Sequence, residues 1–185
     1  MGESPHDDTC GATRMSASAK TARLRLDRLS VVDFDAMWSI HADPLTNQFN
    51  PAGPLTERSA AQRTFGEWLG HWREHGFGYW TVRDDEGIIG FSGIRCSTWT
   101  GRPVLNLAYR YTPRVWGRGY ATEVAAVAVE VWRAEHSAHP LIAYTKQDNI
   151  GSHRTALAVG LKRRPDLDLA TSDALGDDIV FALNW

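Results

Sequence analysis

The stretch "TPRVWGRGYATE", residues 112–123, restricts this chain more than any other. It sets Gly117 and Gly119 around Arg118, between a run that reads as strand, Val104 to Thr112, and one that reads as helix, Gly119 to about Ala134. Within the second run Tyr120, Val124, Val127, Ala128 and Val131 recur with the spacing of an amphipathic helix. A strand, a glycine turn and a helix N-terminus leave several backbone N–H groups unpaired at one point, and the helix macrodipole adds about half a positive charge there. Phosphate suits such a point. Glycines at 117 and 119 remove the Cβ atoms that would hold a pyrophosphate off the backbone, and Ala121 is close to the largest residue the spot tolerates. The plainer alternative is a tight strand-to-helix connection. The stretch is neither a dinucleotide fingerprint nor a P-loop, because position 122 is Thr and no GKS or GKT follows.

Around that point the chain alternates strand and helix patterns. "ARLRLDRLS" sets Leu24 and Leu26 against Arg23 and Arg25, the period of a half-buried strand. "SVVDFDAMWSIHAD" spaces Phe34, Met37, Trp38 and His41 as a helix, capped at Ser30 or Asp33. "DPLTNQFNPAGPLT" predicts an irregular loop. A longer helix opens at Thr56, Glu57 and Ser59, carries Phe65, Trp68, Leu69 and Trp72 on one stripe, and stops at Gly76. Strands are expected at "GYWTVRD", "GIIGFSGIRCST" and "PVLNLAYRYT", and, beyond the glycine turn and its helix, at "PLIAYT" and "DIVFALNW", with a helix in "DNIGSHRTALAVG". A meander followed by helical crossovers implies an α/β (α+β mixed) class: a mixed sheet with helices on both faces.

The 185 residues suffice for one core and one domain, here 21–185, after a disordered tail at 1–20 that has no apolar leader. Lys and Arg (20) nearly balance Asp and Glu (22), so nothing global draws the chain to nucleic acid or an anionic membrane, and any anion site must be local. No segment is apolar for long enough to cross a bilayer. Cys10 and Cys96 are far apart and outside any CxxC spacing, which argues against a disulfide framework or zinc and fits a reducing cytoplasm.

The turn together with "DNIGSHRTALAVGLKRR" resembles the GNAT N-acetyltransferase superfamily, and most nearly its ribosomal-protein alanine N-acetyltransferase (RimJ/RimL) branch, over about Thr21 to Trp185. The resemblance implies a GNAT fold, a mostly antiparallel mixed sheet of about six to seven strands with about four helices. A bulged strand at Val104 to Thr112 would splay from Leu141 to Thr145 and admit the pantetheine arm of acetyl-CoA, the co-substrate, at open backbone groups of Tyr111 and Thr112. Trp116, Gly117, Arg118, Gly119, Tyr120, Ala121 and Thr122 would form the pyrophosphate loop, with Arg118 or Arg114 adding charge. Asn149 and Ser152 match the family's Asn-x-x-Ser, so Asn149 would bond pantetheine and Ser152 would protonate the departing thiolate. No metal is implied. Homodimers are frequent in such folds.

Direct attack of a neutral amine on the thioester is the chemistry implied, by a protein N-terminus or a small-molecule amine. The sequence departs from the family at two places. Asn106 stands in "NLAY" where relatives often have Glu, and Asn is no base; Ala156 stands where many have Tyr. Those departures keep a second reading open, a non-catalytic acyl-CoA-binding protein on the same scaffold. His41, His71 and His75 are candidate bases that read more simply as packed histidines, Glu123 suits the helix dipole, and His136 with His139 has a ligand-like HxxH spacing but no third ligand. Asp166 and Asp168 could hold a cationic amine.

Overall fold

Leu24, Leu26 and Leu29 are buried while Arg23, Arg25 and Arg28 face water, so the alternation read from the sequence is the face pattern of a strand. The computed structural model describes residues 18–50, 52–170 and 176–185. Its strands are β1 (Ser18–Lys20), β2 (Arg25–Arg28), β3 (Tyr79–Asp84), β4 (Gly87–Trp99), β5 (Arg102–Tyr111), β6 (Leu141–Lys146), β7 (Lys162–Arg163) and β8 (Asp178–Leu183). Its α-helices are α1 (Phe34–Ala42), α2 (Arg58–His75), α3 (Tyr120–Val131) and α4 (Ile150–Ala158). The strands form one sheet in the order β1-β2-β3-β4-β5-β6-β8-β7. Only the β5–β6 pair is parallel among the described strands.

The sheet exceeds the expected six to seven strands because β1 and β7 are too short to leave a hydrophobic period. β1 lies inside the segment expected to be tail; the rest of that segment, with Cys10, lies outside the described residues. Cys96 is disulfide-bonded, which corrects the expectation of no disulfide: spacing along a chain does not restrict which thiols meet in a fold. No helix among the described residues is long and apolar enough to cross a membrane.

One face of the sheet is covered by α1 and α2. Trp68 meets Tyr79 edge-on at 5.1 Å between ring centroids and Phe91 at 5.8 Å, and the Trp72 indole N–H donates to the Tyr79 carbonyl at 2.7 Å. α2 ends as expected at Gly76, whose φ of 76° places it in the left-handed region. Buried Asp33 fixes the start of α1 on β3, accepting from Thr81 Oγ1 at 2.8 Å and pairing with Arg83 at 2.5 Å. On the other face α3 buries Val124, Ala125, Ala128 and Val129 and continues into a π-helical turn at Trp132–His136.

The position of the site follows from how β5 divides its pairing. It holds an unbroken register on β4 from Arg102↔Trp99 to Tyr111↔Gly90. It meets β6 only at Leu105↔Leu141 and Asn106↔Ile142, while β6 pairs along its whole length with β8. Past Asn106 the two strands part. The bulge expected on β5 is absent from its β4 ladder; the register shift in this part of the sheet lies at Val82/Arg83, between β3 and β4.

Candidate active site

The gap between β5 and β6 opens into a cleft of about 1040 Å³ whose lining runs from Asn106 to Tyr111, across the α3 N-terminus, and back through Thr145, Asn149 and Ser152. The Leu105 N–H donates to the Pro140 carbonyl, toward β6, at 2.8 Å. Backbone direction alternates with period two, so the N–H groups of Tyr109 and Tyr111 also face the gap, beyond the last paired residue. Thr112 does not contribute as expected: its N–H donates to the Ile89 carbonyl at 2.8 Å. The Tyr111 carbonyl already accepts the Trp116 indole N–H at 2.9 Å.

At the cradle Gly117 has φ 77° and Gly119, the N-cap of α3, has φ 76°. A Cβ on Gly117 would meet nothing within 4 Å, and on Gly119 only the Arg23 guanidinium at 3.7 Å. Backbone handedness, more than crowding by neighbours, therefore calls for glycine at both places. Among the described residues, the N–H groups of Gly117, Gly119, Tyr120, Ala121 and Thr122 have no backbone acceptor. Several uncommitted donors thus gather at one helix start. Arg118 and Thr112 are not part of the cleft lining, whereas Trp116, Gly117, Gly119, Tyr120, Ala121 and Thr122 are. Arg114 is committed to Asp84 and Glu86, at 3.0 and 3.2 Å.

Arg23 locks this loop. Its Nη1 donates to the Arg118 carbonyl at 2.9 Å, its Nε to Glu123 at 2.7 Å, and its guanidinium lies 4.5 Å from the Tyr120 ring centroid. Burial opposes ionisation of Glu123, but hydrogen bonds from Thr21 and Arg23 and the Arg23 charge outweigh it and lower its pKa. Glu123 is thus structural. Nothing in the sequence pointed to Arg23, which is 100 residues from its partner.

Deeper in the cleft, Asn149 caps α4: its Oδ1 accepts from the Ser152 N–H at 3.2 Å and its Nδ2 donates to Thr145 Oγ1 at 2.9 Å, leaving one amide hydrogen. Ser152 Oγ donates to the Tyr109 hydroxyl at 3.0 Å, and that hydroxyl donates to the Ser152 carbonyl at 3.0 Å. Burial pushes the Tyr109 phenol up to about 12, against its hydrogen bonds with Ser152 and Thr155. Ala156 is buried, and a phenol reaches α4 from β5. Sequence reading missed Tyr109 because a tyrosine on an alternating strand looks like core.

Across the sheet, on the α1/α2 face, the Asn106 side chain lies beside the Tyr79 hydroxyl, whose pKa burial raises. His41 on α1 and His71 on α2 are poor bases. Burial, then the Arg110 charge, lowers His41 from 6.5 to about 3; burial lowers His71 to about 4. Between pH 6.5 and those values the unfolded chain binds protons that the folded chain refuses, so stability rises with pH across that window and falls on acidification. Thermal melts from pH 7 to 4.5 are expected to show this fall, flattened in His41→Gln by about 1.4 kcal/mol per pH unit for the missing proton. An unchanged profile in the variant would remove His41 from the explanation.

His71, His75 and Cys96 bring three potential metal-ligand atoms within 4.8 Å of one another. The His71 ring is already committed, Nδ1 to the Phe77 carbonyl at 2.8 Å and Nε2 to the Cys96 N–H at 3.0 Å, and Cys96 is disulfide-bonded, so the trio does not suit a metal. His136 stacks on Phe77 at 4.4 Å. Asp166 pairs with Arg164 at 2.7 Å, and Asp168 with Arg163. Both acids expected to greet a cationic amine are thus neutralised.

Residues 23–162 match the family described as "Acetyltransferase (GNAT) domain". The chain is 25% identical over 146 residues to "Uncharacterized N-acetyltransferase YnaD" of Bacillus subtilis (strain 168), covering 77% of this chain and 81% of that protein. The crystal structure of an acetyltransferase from Agrobacterium tumefaciens str. C58 shares 26% identity and a TM-score of 0.72, over 95% of this chain and 98% of that one. Mycobacterium smegmatis RimJ, in complex with CoA-disulfide, shares the fold at 18% identity and a TM-score of 0.66, over 86% and 81% of the two chains. With its glycine turn, splayed strands and most of its length matched, the chain belongs to the GNAT N-acetyltransferases, in their RimJ/RimL-like branch.

Proposed function

We propose that the cleft holds acetyl-CoA, with pyrophosphate at the α3 N-terminus and pantetheine between β5 and β6, and that the acetyl group passes directly to a primary amine in a ternary complex. The observation that carries this reading is the junction itself: the β5–β6 gap opens directly onto uncommitted N–H donors at the start of α3. Gly117, Gly119, Tyr120, Ala121 and Thr122 supply those donors, and Trp116 walls them. Arg118, exposed and without an ion pair among the described residues, adds charge from outside. The Tyr109 and Tyr111 N–H groups serve the pantetheine amides or the acyl oxygen, and the remaining Asn149 amide hydrogen serves pantetheine.

As the nitrogen–carbon bond forms and the carbon–sulfur bond breaks, the sulfur needs a proton. Ser152 Oγ–H supplies it, the proton that the nitrogen sheds as the amide forms returns to the serine through water, and the Tyr109 hydroxyl, which keeps its own proton at neutral pH, holds Ser152 in place across their hydrogen bond. Tyr109 is a positioning residue in this scheme. Asn106 sits where β5 and β6 part and orients the acceptor without taking its proton. Initial rates of CoA release, with both substrates varied, are expected to give intersecting double-reciprocal lines; parallel lines would indicate an acetylated enzyme instead. Acetyl-CoA binding with no turnover on any amine would leave a non-catalytic acyl-CoA-binding protein.

A further inference from the structure

Resting on the acetyltransferase reading, we infer that the acceptor is an amine that also carries a carboxylate, bound by Arg110 on the α1/α2 face of the cleft, with Arg95, on the same face but behind the lining, adding charge. Of the described arginines that are not exposed, Arg83, Arg163 and Arg164 each hold a carboxylate. Arg95 and Arg110 do not. They lie on the same face of adjoining strands, since Arg95 stands opposite Asn106 and Arg110 opposite Phe91. Arg110 lines the cleft, and only its Nη1 has recorded partners, Asn47 Oδ1 at 2.5 Å and His41 Nδ1 at 3.2 Å. The Arg95 guanidinium lies 5.4 Å from the Tyr79 ring centroid, and its Nε is a buried donor without a partner.

A desolvated guanidinium without an anion is unfavourable, and its planar fork fits a carboxylate bidentately. Carboxylates that could instead attract a polyamine are spent or distant from this face. Asp166 and Asp168 hold arginines, Asp178 pairs with Lys146 at 3.0 Å, and Asp148 is exposed just before α4. The same two cations ease removal of the acceptor's proton, because like charge disfavours an ammonium beside them. The other titratable groups facing this place, His41, His71, Tyr79 and Tyr144, are neutral at pH 7, since burial lowers the two histidines and raises the two tyrosines. The chain thus replaces the carboxylate base missing at Asn106 with an electrostatic device.

The test measures CoA release from saturating acetyl-CoA with α-, β- and γ-amino acids, each against its own amide, and with spermine. At least one amino acid is expected to exceed its amide in kcat/KM by about ten- to a hundredfold. In Arg95→Gln and Arg110→Gln that preference shrinks through a raised KM for the carboxylate, and Arg110→Lys restores part of it. Because Arg110 also steadies the loop at Asn47, Arg95→Gln and an acetyl-CoA titration of every variant separate lost recognition from lost structure. Equal or better turnover of the amides or of spermine by the wild-type protein, or no turnover of any carboxylate, overturns the inference. Failure of acetyl-CoA to bind the wild-type protein overturns the acetyltransferase reading beneath it instead.

Discussion

Replacing Ser152 by Ala is expected to lower kcat by about a hundredfold, the lower range for a lost proton donor, while the Kd for acetyl-CoA stays within about twofold. The reason is local. Ser152 lies in the first turn of α4 with its hydroxyl on Tyr109, and the cap that holds the turn, Asn149 Oδ1, accepts the Ser152 backbone N–H, which alanine retains. The helix should persist and the proton route should not. Tyr109→Phe tests the positioning of that serine, with a drop of about tenfold, because Ser152 keeps a proton of its own. Single-turnover rates alongside calorimetric Kd values make the check. An unchanged rate in Ser152→Ala would assign the serine to the helix and the proton to water.

Gly119→Glu should weaken acetyl-CoA binding by about a hundredfold or more, through a carboxylate at the phosphate cradle and a left-handed φ that costs roughly 1–2 kcal/mol for a side chain. The substituent has room, since a Cβ there meets only the Arg23 guanidinium at 3.7 Å, so the fold should survive. Gly119→Ala separates the two effects: it carries the backbone strain without the charge. Comparable losses in both variants would make the defect conformational. A loss confined to Glu places anion binding at this turn.

Much of the fold was legible because its elements carry periods. β2 alternates, α2 and α3 carry apolar stripes, and Gly76 ends a helix as glycine commonly does. The glycine turn before α3 was legible because such a turn is local chemistry. Long-range pairs were not legible. Arg23 and Glu123 meet across 100 residues, and each alone looks like a surface charge. Arg95 and Arg110 read as the polar half of alternating strands, and only the sheet register, together with the absence of a recorded carboxylate beside them, sets them apart. Thr112 was assigned open backbone by the family resemblance, whereas the alternation along β5 turns its N–H to Ile89 and gives the gap to Tyr109 and Tyr111. Asn106 was singled out by its place in "NLAY", yet that it marks the point where β5 and β6 part is visible only in the pairing.

Calorimetric titration of the purified wild-type protein with acetyl-CoA is the most direct test of the cleft. One site per chain at micromolar strength, weakened by salt as phosphate contacts should be, is expected. No binding by a protein whose melt shows it folded would mean that the turn at Gly117 and Gly119 only joins a strand to a helix.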